Sequence, residues 1–125
     1  MGTKSVAIID DDASANRALG RLLRGAGFEP SGFDSAESFL AAPTRPSFAC
    51  LLVDIQLTGM SGLELQRKLQ AEGSQQPVIF ITAHDDPAYR AEAVRRGCVG
   101  FFRKTDPGAL IVDTLRRATA TNGKA

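Results

Sequence analysis

The chain has 125 residues and a mass of 13.3 kDa, the size of one domain with a core of its own. Hydrophobic residues make up 43% and charged residues 23%, which excludes an intrinsically disordered chain. Fifteen Lys and Arg against fourteen Asp and Glu leave a formal charge of +1, which argues against direct binding to nucleic acid or an anionic membrane.

Five short apolar runs alternate with five helix-like segments. The first run, residues 5–10, shows little alternation and ends on Asp10. Asp12 stands where an N-cap belongs, with metal ligation as its alternative. Ala15, Ala18, Leu19, Leu22, Leu23 and Ala26 then fall on one helical face, and Gly27 follows as a C-terminal cap. The second run, residues 27–33, is broken by Glu29, Pro30 and Gly32, which places it at a sheet edge. Asp34 or Ser35 caps a short helix through Leu40, and a proline-containing loop spans residues 42–47. The third run, residues 49–54, ends on Asp54. Ser61-Gly62-Leu63-Glu64 then makes a capping box for a helix to about Glu72. The fourth run, residues 78–82, ends on Thr82. Asp86-Pro87 opens the next helix, which reaches about Arg96 with only the thin apolar stripe of Ala88, Ala91 and Val94. The fifth run, residues 99–103, leads to Lys104. Asp106-Pro107 opens a last helix to about Ala118. Residues 1–118 are expected to form the domain, and residues 119–125 a flexible tail or the start of a linker.

Strand and helix alternating five times predict an α/β fold, a (βα)5 doubly wound parallel sheet. The flavodoxin-like strand order 2-1-3-4-5 is the common solution, with its ligand crevice at the carboxyl ends of the strands. Cys50 and Cys98 form no CxxC and sit among apolar residues, so both are expected to be buried, reduced thiols. No apolar stretch has the length of a secretory signal core or a membrane span, so a cytoplasmic protein without a membrane partner is expected.

Polar residues cluster at the ends of the strands. Asp10, Asp11, Asp54, Thr82 and Lys104 all fall on one edge of a parallel sheet. Three carboxylates about 5 Å apart would repel by roughly 3 kcal/mol per pair at an effective dielectric of 20. The total, roughly 10 kcal/mol, is comparable with a whole domain's stability. A divalent cation would resolve it, and oxygen donors favour magnesium, manganese or calcium over zinc. Each residue taken singly has a plainer role: Thr82 as a β-branched strand residue, Lys104 as a surface charge, His84 as a loop residue. Their joint placement carries the signal.

The segments Val6–Asp12 (VAIIDDD), Leu51–Asp54 (LLVD), Gly59–Glu64 (GMSGLE), Ile79–Ala83 (IFITA) and Gly100–Lys104 (GFFRK) resemble a response-regulator receiver domain of two-component signalling. The likeness covers about residues 4–118, and Asp34–Leu40 (DSAESFL) further resembles receivers of the FixJ type. The resemblance implies that Asp54 is phosphorylated by the phosphohistidine of a histidine kinase or phosphotransfer protein. It implies that Mg2+, or Mn2+ in its place, is held by Asp11, Asp54 and the backbone carbonyl of Gln56, with Asp10 acting largely through water. Thr82 and Lys104 would complete the catalytic set by meeting the phosphoryl oxygens. Thr82 and Phe101 would form the switch, changing the surface of the fourth helix, fifth strand and fifth helix; the alternative for Phe101 is plain core packing. Gln56 and His84 would set the lifetime of the phosphate through autodephosphorylation. Such a domain is not an enzyme acting on a separate substrate. It controls a partner or an output domain, here a C-terminal DNA-binding domain absent from this chain, and in some cases a phosphorylation-dependent homodimer. The alternatives are a degenerate receiver that binds partners without phosphate and an aspartyl-phosphate phosphohydrolase. Two departures stand out: Thr105 follows Lys104 where the family has a cis proline, and Thr58 stands where proline is common. A trans bond or a rearranged loop is expected at Thr105.

Overall fold

A computed structural model describes residues 3–120. Five strands, β1 (Ser5–Ile9), β2 (Glu29–Phe33), β3 (Cys50–Asp54), β4 (Val78–Thr82) and β5 (Gly100–Arg103), form one parallel sheet in the order β2-β1-β3-β4-β5. The connecting helices are α1 (Ala13–Gly25), α2 (Ala36–Ala41), α3 (Gly62–Ala71), α4 (Pro87–Arg95) and α5 (Gly108–Ala120), with a 3-10 turn at Arg45–Ser47 inside the loop before β3. This is the expected flavodoxin-like architecture, with the proline-bearing β2 at one edge.

Strand residues alternate between two cores. Ala7, Ile9, Leu51, Val53 and Phe80 pack with α2, α3 and α4, while Val6, Ile8, Leu52, Ile79 and Ile81 pack with α1 and α5. The central strands β3 and β4 are buried along their whole length, which explains their unbroken apolar runs. The helices are anchored unequally. α3 buries Leu63, Leu65 and Leu69, whereas α4 buries only Ala93. At about 1.5–3 kcal/mol per large apolar side chain, α3 is held more firmly by several kcal/mol.

Helix ends account for most boundary differences. The Gly27 N–H donates to Arg24 O (3.1 Å) and the Phe28 N–H to Leu23 O (2.9 Å), with Gly27 at φ 93°. This Schellman pair takes residues 27 and 28 into the stop of α1, so β2 starts two residues later than its apolar run. The same pair of bonds ends α3 at Gly73 and Ser74 and α4 at Gly97 and Cys98; β5 begins at Gly100, one residue later than its apolar run, although the Val99 N–H already donates to Val78 O (2.9 Å). Asp12 caps α1 by accepting from the Ser14 and Ala15 N–H groups, Ser35 caps α2, the Ser61–Glu64 capping box opens α3, and Asp86 caps α4. The Asp106 carboxylate instead accepts from the Arg103 N–H (2.9 Å) and closes the turn after β5. α5 runs two residues beyond Ala118, because Thr119 is buried and its hydroxyl donates to Leu115 O (2.8 Å). The remainder of the expected tail, residues 121–125, lies outside the described residues. No described helix is long and apolar enough to cross a membrane. Both thiols are free; Cys50 is buried and Cys98 only half-buried. Burial pushes the Cys50 thiol up to about 12 and raises Cys98 as well.

The start of α3 is pressed against the end of β3. The Gly62 N–H donates to Ile55 O (2.9 Å), and a Cβ at Gly62 would strike the Asp54 carbonyl oxygen and lie 3.0 Å from Ile55 Cα. Gly62→Ala is expected to lower unfolding stability by about 1–3 kcal/mol through backbone overpacking. That exceeds the roughly 1 kcal/mol expected for loss of the cap in Ser61→Ala. Urea unfolding of both variants checks the order, and a Gly62→Ala protein as stable as the parent would refute it.

Candidate functional site

The site lies at the carboxyl edge of the sheet. Asp10 follows β1 and Asp54 ends β3, and their exposures are 2% and 6%. Asp11, beside Asp10, is exposed. One carboxylate oxygen from each of the three lies within 4.8 Å of the others, the one such acidic group among the described residues. Lys104, after β5, places its Nζ 2.9 Å from Asp10 Oδ2 and 3.1 Å from Asp54 Oδ2. The ammonium therefore offsets much of the repulsion expected from the sequence, without a cation. Burial raises the pKa of Asp54 and the negative charge of Asp10 adds to this, while the bond from Lys104 works against both. Burial disfavours the Lys104 ammonium, but the bonds to Asp10 and Asp54 outweigh it and hold its pKa above the usual value.

The remaining carboxylate oxygens are also engaged. Asp10 Oδ1 accepts from the Asp12 N–H (2.9 Å), and Asp54 Oδ1 accepts from the Gln56 N–H (3.1 Å). Asp11 Oδ2 accepts from both the N–H (3.0 Å) and the hydroxyl (2.9 Å) of Thr58. Three carboxylates facing one ammonium leave a net negative pocket of oxygen donors. That donor set fits a hard divalent cation such as Mg2+ and not zinc. His84 reaches the area only through its backbone, and Cys50 lies four residues back along β3, about 13 Å away.

Lys104 reaches its partners with no cis peptide bond among the described residues. Its N–H donates to Thr82 O (2.8 Å), and the Asp106 N–H donates to Arg103 O (3.0 Å), so hydrogen bonds shape the turn around Thr105. The expectation of a trans bond at that position holds.

Thr82 is fully buried at the end of β4, but its hydroxyl faces its own loop. It donates to His84 O (2.8 Å) and accepts from the His84 N–H (3.1 Å). Phe101 on β5 is half-buried against Phe80 at 6.2 Å between ring centroids. The side chains of Gln56, two residues after Asp54, and His84, two residues after Thr82, are exposed, and neither is bonded to the carboxylates.

A second group of residues was not legible in the sequence. Asp85 accepts from Arg90 (3.0 Å) and Arg103 (3.2 Å), joining the loop after β4 to α4 and β5. The bonds from Arg90, and then from Arg103, lower the Asp85 pKa despite partial desolvation. The Arg90 guanidinium also lies 4.5 Å over the Phe101 ring. Surface arginines and aspartates carry no positional signal in a single sequence; the pairing emerges only once β4 and β5 are adjacent. Glu37 was missed for the same reason: its carboxylate accepts from the Met60 N–H (2.9 Å) across the gap between α2 and the loop after β3.

The sequence matches the family described as "Response regulator receiver domain" over residues 6–116. It is 39% identical over 111 residues to the response regulator protein TodT of Pseudomonas putida, covering 89% of this chain and 49% of TodT. It is 38% identical over 105 residues to the transcriptional regulatory protein FixJ of Bradyrhizobium diazoefficiens, covering 83% of this chain and 51% of FixJ. The chain thus spans about half the length of these curated relatives. Among solved structures, FixJ-N superposes with a TM-score of 0.86 at 34% identity, covering 96% of each chain. Response regulator StyR superposes with a TM-score of 0.87 at 36% identity, covering 98% of this chain and 62% of that one. With the acidic pocket and its lysine at the carboxyl edge of a 2-1-3-4-5 sheet, these matches show that the chain belongs to the response regulator receiver domains of two-component signalling.

Proposed function

We propose that Asp54 is the phosphoacceptor of a Mg2+-dependent switch. The observation that carries this is the Asp54 carboxylate itself: it ends β3, is nearly buried, and touches Lys104 inside a cluster of three carboxylates. In the transfer, an Asp54 oxygen attacks phosphorus, the P–N bond of a phosphohistidine breaks, and the departing imidazole keeps the electron pair and takes up a proton. Asp11, Asp54 and the Gln56 carbonyl would hold Mg2+, with Asp10 acting largely through water; Mn2+ would serve in its place. The cation supplies charge neutralisation for the transferring oxygens. Lys104 neutralises the carboxylate before transfer and the phosphoryl group after it. The donor is a histidine kinase or a phosphotransfer protein in the cytoplasm. The proposed output is transcription regulation, in keeping with the relative named a transcriptional regulatory protein, through a C-terminal DNA-binding domain or a partner.

The switch works through Thr82 and Phe101. A phosphoryl group brings about −1.5 to −2 charge and new acceptor oxygens. For its hydroxyl to reach them, Thr82 gives up both bonds to His84, which frees the loop that carries Asp85. The space behind β4 then admits Phe101, and α4 is the α-helix least held by apolar burial. The α4–β5–α5 face already exposes Val94 (57%), Val99 (46%) and Leu110 (47%), which suits a partner or a second phosphorylated copy.

Intact mass after incubation with a small-molecule phosphoryl donor is expected to show one Mg2+-dependent adduct. It should be absent from Asp54→Asn; an adduct retained in that variant would refute the assignment. Phe101→Ala is expected to keep the rate of phosphorylation within about threefold while weakening partner or homodimer association, read by gel filtration with and without phosphate. Equal loss of both would remove Phe101 from the switch. Exchanging Gln56 or His84 should alter the decay of the phosphorylated form, because they follow Asp54 and Thr82 by two residues and both side chains are exposed. Unchanged decay in both variants would reject that role.

A further inference from the structure

We infer that Thr58 is a positioning residue for the cation-binding carboxylate of Asp11. This rests on the assignment of the acidic cluster as a divalent-cation site. Asp10 and Asp54 are nearly buried and fixed by the Lys104 ammonium. Asp11 is exposed and has no ammonium or guanidinium partner among the described residues, so nothing from the sheet restricts its rotamers. The bonds it receives come from Thr58, forty-seven residues away in sequence, through both the backbone N–H (3.0 Å) and the hydroxyl (2.9 Å). Both fall on Oδ2. Among the described residues no donor reaches Oδ1, which leaves that oxygen for a cation.

Thr58 is itself well anchored. Two residues before it, the Gln56 N–H is held by Asp54 Oδ1 (3.1 Å); two residues after it, the Met60 N–H is held by Glu37 Oε2 (2.9 Å); between them Leu57 is buried. A proline at this position would supply neither donor. Threonine therefore gives this chain an outer support for one ligand of the site. Hydrogen bonds of that kind orient a ligating carboxylate before the metal arrives, and their removal typically weakens metal binding by about 10–100-fold. Thr58→Val removes one of the two bonds and keeps shape and backbone, so the loss should fall at the low end of that range.

The test is calorimetric titration of Mn2+ into the unphosphorylated protein, with no phosphoryl donor present. The parent is expected to bind one ion, and Asp11→Asn to weaken it severely. Thr58→Val should bind about tenfold more weakly, at the lower edge of the effect of losing such support. Thr58→Ser, which restores the hydroxyl, should match the parent. Glu37→Ala cuts the neighbouring strap without touching Asp11 and should also match it. Thermal unfolding of each variant controls for the fold. Parent-like or tighter binding by Thr58→Val overturns the inference, because Thr58 would then be idle or a competitor for the carboxylate. Equal weakening by Glu37→Ala overturns it too, since loop stiffness would be the cause. If the parent binds no Mn2+, the cation site falls and this inference with it. If Asp11→Asn weakens binding and Thr58→Val does not, the site stands and only the role of Thr58 fails.

Discussion

The Lys104 ammonium, shared between Asp10 and Asp54, is the contact on which the carboxyl edge of the sheet depends. Two carboxylates at the ends of neighbouring strands β1 and β3, both nearly out of solvent, would push those strands apart or take up protons. The ammonium at 2.9 and 3.1 Å removes that choice. It also ties β5, at the far edge, to β1 and β3 across the intervening β4. The price is a lysine held in a half-buried position, tolerable because two charged acceptors replace its water. Any group that enters with charge, whether a cation beside Asp54 or a phosphoryl on it, has to renegotiate this one contact. The site is therefore poised by a bond that can be exchanged for another of the same kind.

That exchange has a path outward. Lys104 is held through its backbone N–H by Thr82 O, and the Thr82 hydroxyl is held by the His84 backbone. Asp85 follows directly and grips Arg90 on α4 and Arg103 on β5, while Arg90 covers Phe101. The contacts of Asp85, Arg90 and Arg103 are ion pairs and a cation–π contact near the surface, individually worth about 1 kcal/mol or less. They can be exchanged at low cost, unlike the Leu63, Leu65 and Leu69 packing that holds α3. The difference in anchoring between α3 and α4 makes one helix a frame and the other a movable part. Ala93 is the one buried residue of α4, and polar contacts hold the rest of it: the Asp85 group at one end, and the bonds from Gln66 to Ala93 O, from Arg67 to Glu92 and from Gln70 to Arg96 O on the side of α3.

The legibility of the fold and of the site follows from the range of the interactions involved. β1, β3 and β4 were plain because strands covered on both faces leave an unbroken apolar run. The caps at Asp12, Ser61 and Asp86 were plain because a cap is a contact between residues two or three apart. The start of β2 was misplaced because a Schellman turn takes an apolar residue, Phe28, that local composition cannot separate from a strand. Asp106 looked like a cap by the same local logic, but an alternative donor three residues upstream, the Arg103 N–H, claimed its carboxylate. At the site, the identity of Asp10, Asp11, Asp54, Thr82 and Lys104 was legible from their positions at strand ends. The direction of the Thr82 hydroxyl was not, and neither was the Asp85 group, since both depend on the path of the loop after β4.

Thr58 and Thr105 show how a loop is held without a proline ring. Proline stiffens a loop by restricting φ and by removing a donor that then needs no partner. Threonine does neither, so the stiffness has to come from bonds. At Thr58 it does: the N–H and hydroxyl both find Asp11, and the adjoining backbone is strapped to Asp54 and Glu37. At Thr105 the turn is closed by its neighbours instead, through the Asp106 N–H on Arg103 O and the Arg103 N–H on the Asp106 carboxylate. Stiffness made of hydrogen bonds to carboxylates differs from stiffness made of a ring in one respect: it responds to charge. A cation that draws on Asp11 also acts on the loop that Thr58 anchors. If the pocket takes a cation as proposed, the geometry of the loop after β3 would be coupled to its occupancy, a coupling that a proline at the same position could not provide.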